Sequence, residues 1–165
     1  MTPRQAGLAL AVIHAGLVAS LGAKLLADRA RLPHGWARTV PYDPDLPIRG
    51  RYVRLRLEVP VERLPADIGR WDRRSVRVEV RDDRVVAALD TAARTMAQLD
   101  SVPGGLRVSL DEPVAFFIPE HIPDPSIRPA GEELWAEVTI PRRGPPRPIR
   151  LGVMKGGALT PLEIR

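Results

Sequence analysis

Residues 52–59 read Tyr-Val-Arg-Leu-Arg-Leu-Glu-Val, and their strict alternation of polar and apolar side chains decides the fold class. Successive side chains of a β-strand point to opposite faces, so one face is formed by Val53, Leu55, Leu57 and Val59. Tyr52 and the charged side chains occupy the other face. The stretch therefore predicts a half-buried strand in a sheet that packs one face on a core.

Shorter stretches of the same kind recur along the rest of the chain, separated by Gly, Pro and Asp. Predicted strands cover residues 76–80, 84–89, 106–110, 114–118, 134–140, 149–153 and, more weakly, 159–164. Asp82-Asp83 predicts a hairpin turn. With the strand at 52–59, the total of about 7–8 short strands is typical of a β-sandwich or a small barrel. We predict a mainly β domain over residues 49–165.

Three other segments lack a clear strand pattern. Residues 32–48 contain four of the chain's 18 prolines and predict a stiff, extended linker. Residues 61–74 are compatible with a helical turn. Residues 91–99 are compatible with a short helix capped by Asp90 or Thr91.

The amino-terminal segment, residues 1–31, predicts one transmembrane helix. Residues 5–23 carry no formal charge, and as a helix they span about 28 Å, close to a bilayer core of about 30 Å. A cleaved signal peptide is the alternative, because Arg4 forms a basic start and Ser20-Leu21-Gly22 fits a cleavage site. We favour an uncleaved signal anchor because the apolar stretch continues to Leu25 and Leu26.

The side of the membrane on which the domain lies is predicted by two opposed arguments. Lys24, Arg29 and Arg31 follow the helix and Arg4 precedes it, and this charge bias favours a cytoplasmic domain. Long domains, however, translocate largely regardless of flanking charge. We expect a single-pass protein of the inner (cytoplasmic) membrane whose carboxyl-terminal domain is extracytoplasmic.

The charge and cysteine content exclude several classes of function. The net charge is +5, but basic and acidic residues are interleaved outside residues 1–31 and few aromatics accompany them. A nucleic-acid-binding surface is therefore not predicted. The chain contains no cysteine, which excludes disulfides, thiolate zinc sites and cysteine nucleophiles.

Catalytic groupings are equally hard to find in the sequence. His121 with Glu120 and Asp124 lacks a metal-ligand spacing and reads as a solvated loop. A diverged signal-peptidase-like hydrolase is the alternative function, but its serine and lysine partners are not evident. Ser20 and Lys24 share one face of the membrane helix, and Thr39 carries the one aliphatic hydroxyl of the linker. No catalytic, cofactor-binding or metal-binding residue is assigned, and no cofactor is predicted.

Two motifs make the chain resemble a known family. Residues 50–57, Gly-Arg-Tyr-Val-Arg-Leu-Arg-Leu, resemble the motif of the GDYXXLXY domain proteins, which are bacterial membrane-anchored proteins of uncharacterised function. Residues 116–120, Phe-Phe-Ile-Pro-Glu, resemble a second hallmark. Arg51 replaces the family's Asp, and Leu57 replaces its second Tyr. The candidate motif residues are Gly50, Arg51, Tyr52, Leu55, Phe116, Phe117, Pro119 and Glu120.

The resemblance implies a membrane partner rather than a reaction, because such proteins tend to be encoded beside multi-pass membrane proteins. We therefore expect an accessory or partner-binding subunit of a multi-pass membrane protein. Two interpretations of the motifs stay open. They form either a turn, a core strand and a strand end, or a surface that binds the partner.

Overall fold

A computed structural model describes residues 2–42, 52–61, 72–102 and 105–164. It contains two compact units, residues 1–32 and residues 33–165. The first unit is one helix, α1 (Pro3–Arg31). The described part of the second unit contains ten strands, which are β1 (His34–Pro41), β2 (Tyr52–Pro60), β3 (Asp72–Arg81), β4 (Arg84–Leu89), β5 (Thr95–Val102), β6 (Gly105–Leu110), β7 (Val114–Phe117), β8 (Glu132–Thr139), β9 (Arg147–Lys155) and β10 (Ala158–Pro161).

The helix α1 begins at a capping box. The Thr2 hydroxyl accepts a hydrogen bond from the Gln5 amide, and the Gln5 side chain accepts one from the Thr2 amide. The helix has 29 residues and is about 44 Å long. Its apolar side chains are exposed on all sides, and it is long and apolar enough to cross a membrane or to be a signal sequence. The predicted apolar helix is thus confirmed.

Six of the strands close a barrel. Neighbouring strands around the ring follow the order β1, β4, β3, β5, β6 and β2, and β2 pairs again with β1. All of these pairs are antiparallel except β1 with β4, whose parallel contact places Trp36 opposite Arg84. The Trp36 amide also donates to the Asp83 carbonyl at 2.8 Å. The predicted mainly β fold is confirmed, and of the two architectures it is the barrel.

The remaining strands extend the barrel on both sides. Strands β8, β9 and β10 continue the sheet outward from β1 in antiparallel order. Strands β6 and β7 both pair with β2, β6 at one end of it and β7 at the other. The pairing is interrupted at residues 111–113 and begins again at Val114. Pro113 has no amide hydrogen to donate there, which favours an interruption of the ladder.

Much of the core consists of the alternating apolar positions predicted from the sequence, to which β1 and β5 add Ala37, Ala97 and Leu99. In β2, every second side chain from Val53 to Val59 is buried, and the residues between them are partly exposed. The largest fully buried side chains are Leu55, Leu57, Leu99, Leu110, Leu151, Val59, Val76, Val85, Val108 and Val138. Aliphatic side chains therefore build the core almost alone.

The predicted linker over residues 32–48 is wrong for residues 34–41, because they form the central strand β1. This strand pairs with β8, β4 and β2, and its Ala37 and Thr39 are buried. The prolines at 33 and 41 stand at its ends, where they interrupt no ladder bond. Gly35 allows β1 to pass close to the Val80 side chain of β3, since a Cβ there would lie only 2.9 Å from it. Residues 43–48 lie outside the described residues.

The short helix considered for residues 91–99 is also wrong. The Asp90 side chain does accept from the Ala92 amide at 2.9 Å, as a helix cap would, but the turn ends and Thr95 begins β5. In β5 the side chains of Ala97 and Leu99 enter the core, and this burial outweighs the local capping signal. Two hydrogen bonds hold the pKa of the Asp90 carboxyl below its usual 3.8. The larger effect comes from the Ala92 amide and the next from the Arg77 guanidinium.

Two further predictions concern the neighbouring segments. The hairpin turn at Asp82-Asp83 is confirmed, and both residues have positive φ, 48° and 58°. The predicted helical turn over residues 61–74 falls mostly on residues 62–71, which lie outside the described residues. Residues 72–74 belong to β3.

Candidate functional site

The pairing of β2 with β7 brings the two sequence motifs side by side. Tyr52 lies opposite Phe117, and Val53 lies opposite Phe116. Opposed residues of antiparallel strands point to the same face, so the two pairs alternate between the outer face and the core. Tyr52 and Phe117 are 39% and 67% exposed, whereas Phe116 packs against the core. We call the outward pair the Tyr52–Phe117 surface.

The other predicted motif residues have structural positions around this pair. Leu55 is fully buried in the barrel core, opposite Val114. Pro119 follows the end of β7 and its carbonyl accepts from the Ile122 amide at 3.1 Å, which closes a turn containing Glu120. Gly50 and Arg51 lie outside the described residues. The motifs thus supply core, turn and surface at once, and their exposed residues are Tyr52 and Phe117 in the strands and Glu120 in the turn.

A second feature, which the sequence patterns did not predict, lies on the outer face of β1, β8 and β9. Trp36 in β1 stands beside Glu137 in β8, which in turn stands beside Arg150 in β9. The Trp36 ring extends over Gly152, where a Cβ would lie 2.7 Å from the ring. Only a residue without a side chain leaves room for the indole, and Trp36 is 9% exposed as a result.

A network of ion pairs surrounds the indole. Arg38 reaches Glu58 at 3.0 Å and Glu133 at 3.1 Å, and Glu58 also lies 3.7 Å from Arg107. On the other side of Trp36, the Arg150 guanidinium donates to the buried Glu137 carboxylate. These pairs hold the outer face of β1, β2 and β8 in a defined arrangement.

The second tryptophan of this face, Trp135, has a guanidinium stacked on its ring. The guanidinium of Arg84 lies over the Trp135 ring, 4.3 Å from its centroid. The Trp135 indole N–H donates to Glu133 at 3.3 Å, which orients the ring. Within the described parts of the chain, Arg84 makes no ion pair with a carboxylate. Stacking on an indole leaves the N–H edges of a guanidinium available for a ligand.

These groups line an open cleft of about 390 Å³, which we call the Trp36–Trp135 cleft. Its walls are formed by Trp36, Ala37, Arg38, Glu58, Pro60, Arg84, Val85, Trp135, Met154 and Gly157. Aromatic and apolar groups with a few placed charges are the usual lining of small-molecule sites. The sequence did contain a pattern typical of strand β1, because Trp36, Arg38 and Val40 alternate with Ala37 and Thr39. The flanking prolines favoured a linker instead.

The hydroxyl groups considered for a hydrolase have structural hydrogen bonds. The buried Thr39 hydroxyl donates to the Leu134 carbonyl at 2.9 Å, and the Ser20 hydroxyl donates to the Leu17 carbonyl at 2.8 Å. A nucleophilic hydroxyl would instead direct its proton to a base.

The loop that contains His121 includes an Asx turn. The Asp124 carboxylate accepts from the Ser126 amide at 2.8 Å, which is the geometry of an Asx turn. Among the described residues, no group of three or more acidic, histidine or cysteine side chains is placed to hold a metal ion.

Comparison with known proteins adds no relative. The chain matches no protein-family model, no curated protein and no solved structure. The resemblance to the GDYXXLXY domain family therefore stays a prediction, which the residues at 50–57 and 116–120 support.

Proposed function

We propose that this chain is a single-pass membrane protein whose β domain binds a multi-pass membrane protein through the Tyr52–Phe117 surface. One observation supports the proposal above all others: the register of β2 and β7 joins the two motif segments and directs one aromatic side chain of each outward. Large exposed aromatic side chains are enriched at protein interfaces, where they contribute much of the binding energy.

The proposed anchor is α1. Its apolar side chains are exposed around the whole helix, and among the described residues none of the helix is buried. A lipid bilayer would remove this apolar surface from water, which is favourable by about 25 cal/mol for each Å² transferred. Carbonate extraction of membranes should leave the protein in the pellet, with an amino terminus near Met1. A soluble product that begins near Ala23 would show instead that the segment is a cleaved signal.

The proposed topology places the domain outside the cytoplasm. Because the chain has no cysteine, single cysteines report their own side of the membrane without background labelling. Arg143→Cys in the exposed turn before β9 should react with a membrane-impermeant maleimide in intact spheroplasts. Thr2→Cys, at the other end of α1, is the matched control and should react only after lysis. The reverse pattern would place the domain in the cytoplasm.

The partner is tested by site-specific photo-crosslinking in native membranes. A benzoyl-phenylalanine at Phe117 should crosslink to a multi-pass membrane protein, identified by mass spectrometry. The matched control is the same probe at Ile127, a more exposed apolar residue (76%) outside the motifs. Tyr52→Ala with Phe117→Ala should abolish co-purification of that protein, whereas Ile127→Ala should not. Equal crosslinking at both positions, or none at Phe117, would contradict the proposal.

A further inference from the structure

We propose that the Trp36–Trp135 cleft binds a small amphiphilic carboxylate, whose apolar body lies against the two indoles and whose carboxylate pairs with Arg84. This site is formed mainly by β1, β4, β8 and β9 and includes β2 only at Glu58 and Pro60, at the end of that strand far from Tyr52. The inference therefore goes beyond the proposed function and does not depend on it.

The size and lining of the cleft fit an organic ligand. A volume of about 390 Å³ lies within the range of small-molecule sites, which is roughly 300–1,000 Å³. The apolar wall includes Trp36, Trp135, Val85, Pro60 and Met154, from five different strands. Indole rings offer a large, rigid contact area for an apolar body at a low cost in conformational entropy.

The charges of the lining select a negative ligand group. Arg38 has two carboxylate partners, and Glu58 has two guanidinium partners. Arg84 is the one charged lining residue that has no ion pair with any described residue. A ligand carboxylate would supply the missing partner and could accept two parallel hydrogen bonds from the guanidinium. A ligand ammonium group would meet this same cation and be repelled.

Both aromatic walls are held in place before any ligand binds. The Trp36 ring is fitted over Gly152, and the Trp135 ring is oriented by its hydrogen bond to Glu133 and by Arg84. A site whose side chains are already ordered loses little conformational entropy on binding.

The experiment uses the full-length protein in nanodiscs of zwitterionic lipid. Equilibrium dialysis measures the binding of three probes that share one apolar body: phenylbutyrate, phenylbutyramide and phenylbutylamine. Empty nanodiscs correct for partition into lipid. A charge-assisted hydrogen bond corresponds to about a tenfold or larger change in affinity, so phenylbutyrate should bind at least about tenfold more tightly than the neutral amide. The amine should bind more weakly than the amide.

Variants assign the site. Arg84→Gln should remove the preference for the carboxylate over the amide. Arg84→Lys should keep part of the preference, because it retains the charge without the planar fork. Arg143→Gln, in an exposed turn, is the matched control and should bind all three probes as the natural chain does. Trp135→Leu should weaken phenylbutyrate and phenylbutyramide alike, because it removes apolar contact area.

Three results would overturn the inference. These are equal binding of the carboxylate and the amide, a preference that survives Arg84→Gln, and no saturable binding of any probe. If Arg84→Gln were to lose its fold by circular dichroism, Arg84→Lys and the comparison of the three probes on the natural chain would still decide the question.

Discussion

Replacement of Gly152 by alanine tests the packing that creates the outer face of β1, β8 and β9. The backbone of Gly152 lies outside the left-handed region, so an alanine would be accepted there if space allowed. An added Cβ would stand 2.7 and 2.9 Å from two carbons of the Trp36 ring and 3.1 Å from the Thr160 carbonyl oxygen. The substitution therefore adds one methyl group to a position that is already filled.

The expected magnitude follows from these distances. Carbon atoms pack best at about 3.5–4.0 Å, so the rigid Trp36 ring would have to move by about 1 Å. Overpacking of this kind costs typically about 1–3 kcal/mol. Alanine in the interior of a strand is otherwise favoured over glycine by roughly 0.5–1 kcal/mol. We expect Gly152→Ala to lower the free energy of unfolding by about 0–2.5 kcal/mol, the difference between these effects.

The assay is urea unfolding of the full-length protein in detergent micelles, with the near-ultraviolet circular dichroism of the tryptophans as the signal. The control is the same substitution in a Trp36→Leu background, in which the clashing ring is absent. There Gly152→Ala should be neutral or raise the free energy of unfolding by up to about 1 kcal/mol, which makes the two sites strongly coupled.

Two results would refute this reasoning. The first is a Gly152→Ala protein more stable than the natural chain, because that sign would show that the ring is not held against the backbone. The second is an equal penalty with and without Trp36, because the cost would then come from another contact.

Three further predictions concern the core, the buried carboxylate and the response to acid. Leu57→Ala, at a fully buried position of β2, should lower the free energy of unfolding in urea by about 2–5 kcal/mol, and a smaller loss would show that the barrel interior collapses around the cavity. Arg150→Met should lower the free energy of unfolding by about 1–3 kcal/mol, because it leaves the Glu137 carboxylate, which is 7% exposed, without its nearest partner. Glu137→Gln should lower it by less, and the opposite order would contradict this account. The pKa of Asp90 is lower in the folded state than its usual 3.8, so its contribution to stability is present above pH 3.8 and is lost as the pH falls through the folded-state pKa. Urea midpoints measured from pH 6 to pH 2 should therefore fall less steeply for Asp90→Asn than for the natural chain, and parallel curves would show that this carboxylate does not contribute.

The features predicted correctly from the sequence are those that depend on local periodicity. The uncharged stretch at 5–23 forms part of α1, and the alternating stretch at 52–59 forms β2 with its apolar face in the core. The outward direction of Tyr52 follows from the same period of two. Each of these results requires only the neighbouring residues and the preference of apolar side chains for an apolar environment.

Two strands were missed because the tertiary structure outweighs their local signals. Strand β1 lies between prolines that are typical of a linker, and β5 follows an Asp90 that caps a turn as it would cap a helix. In both segments the decisive energy comes from burial against strands that are distant in the sequence. No window of neighbouring residues contains that information.

The sequence by itself determined an apolar helix, a mainly β domain and the aromatic character of the two motifs. Only the tertiary structure decided that the sheet closes into a barrel, because closure depends on the parallel contact of Trp36 with Arg84. The same is true of both candidate sites. The Tyr52–Phe117 surface exists because of the register of β2 and β7, and the Trp36–Trp135 cleft exists because of a glycine in β9 beneath an indole from β1. Register and close approach are relations between segments far apart in the chain, and a sequence pattern specifies only the face to which each side chain points.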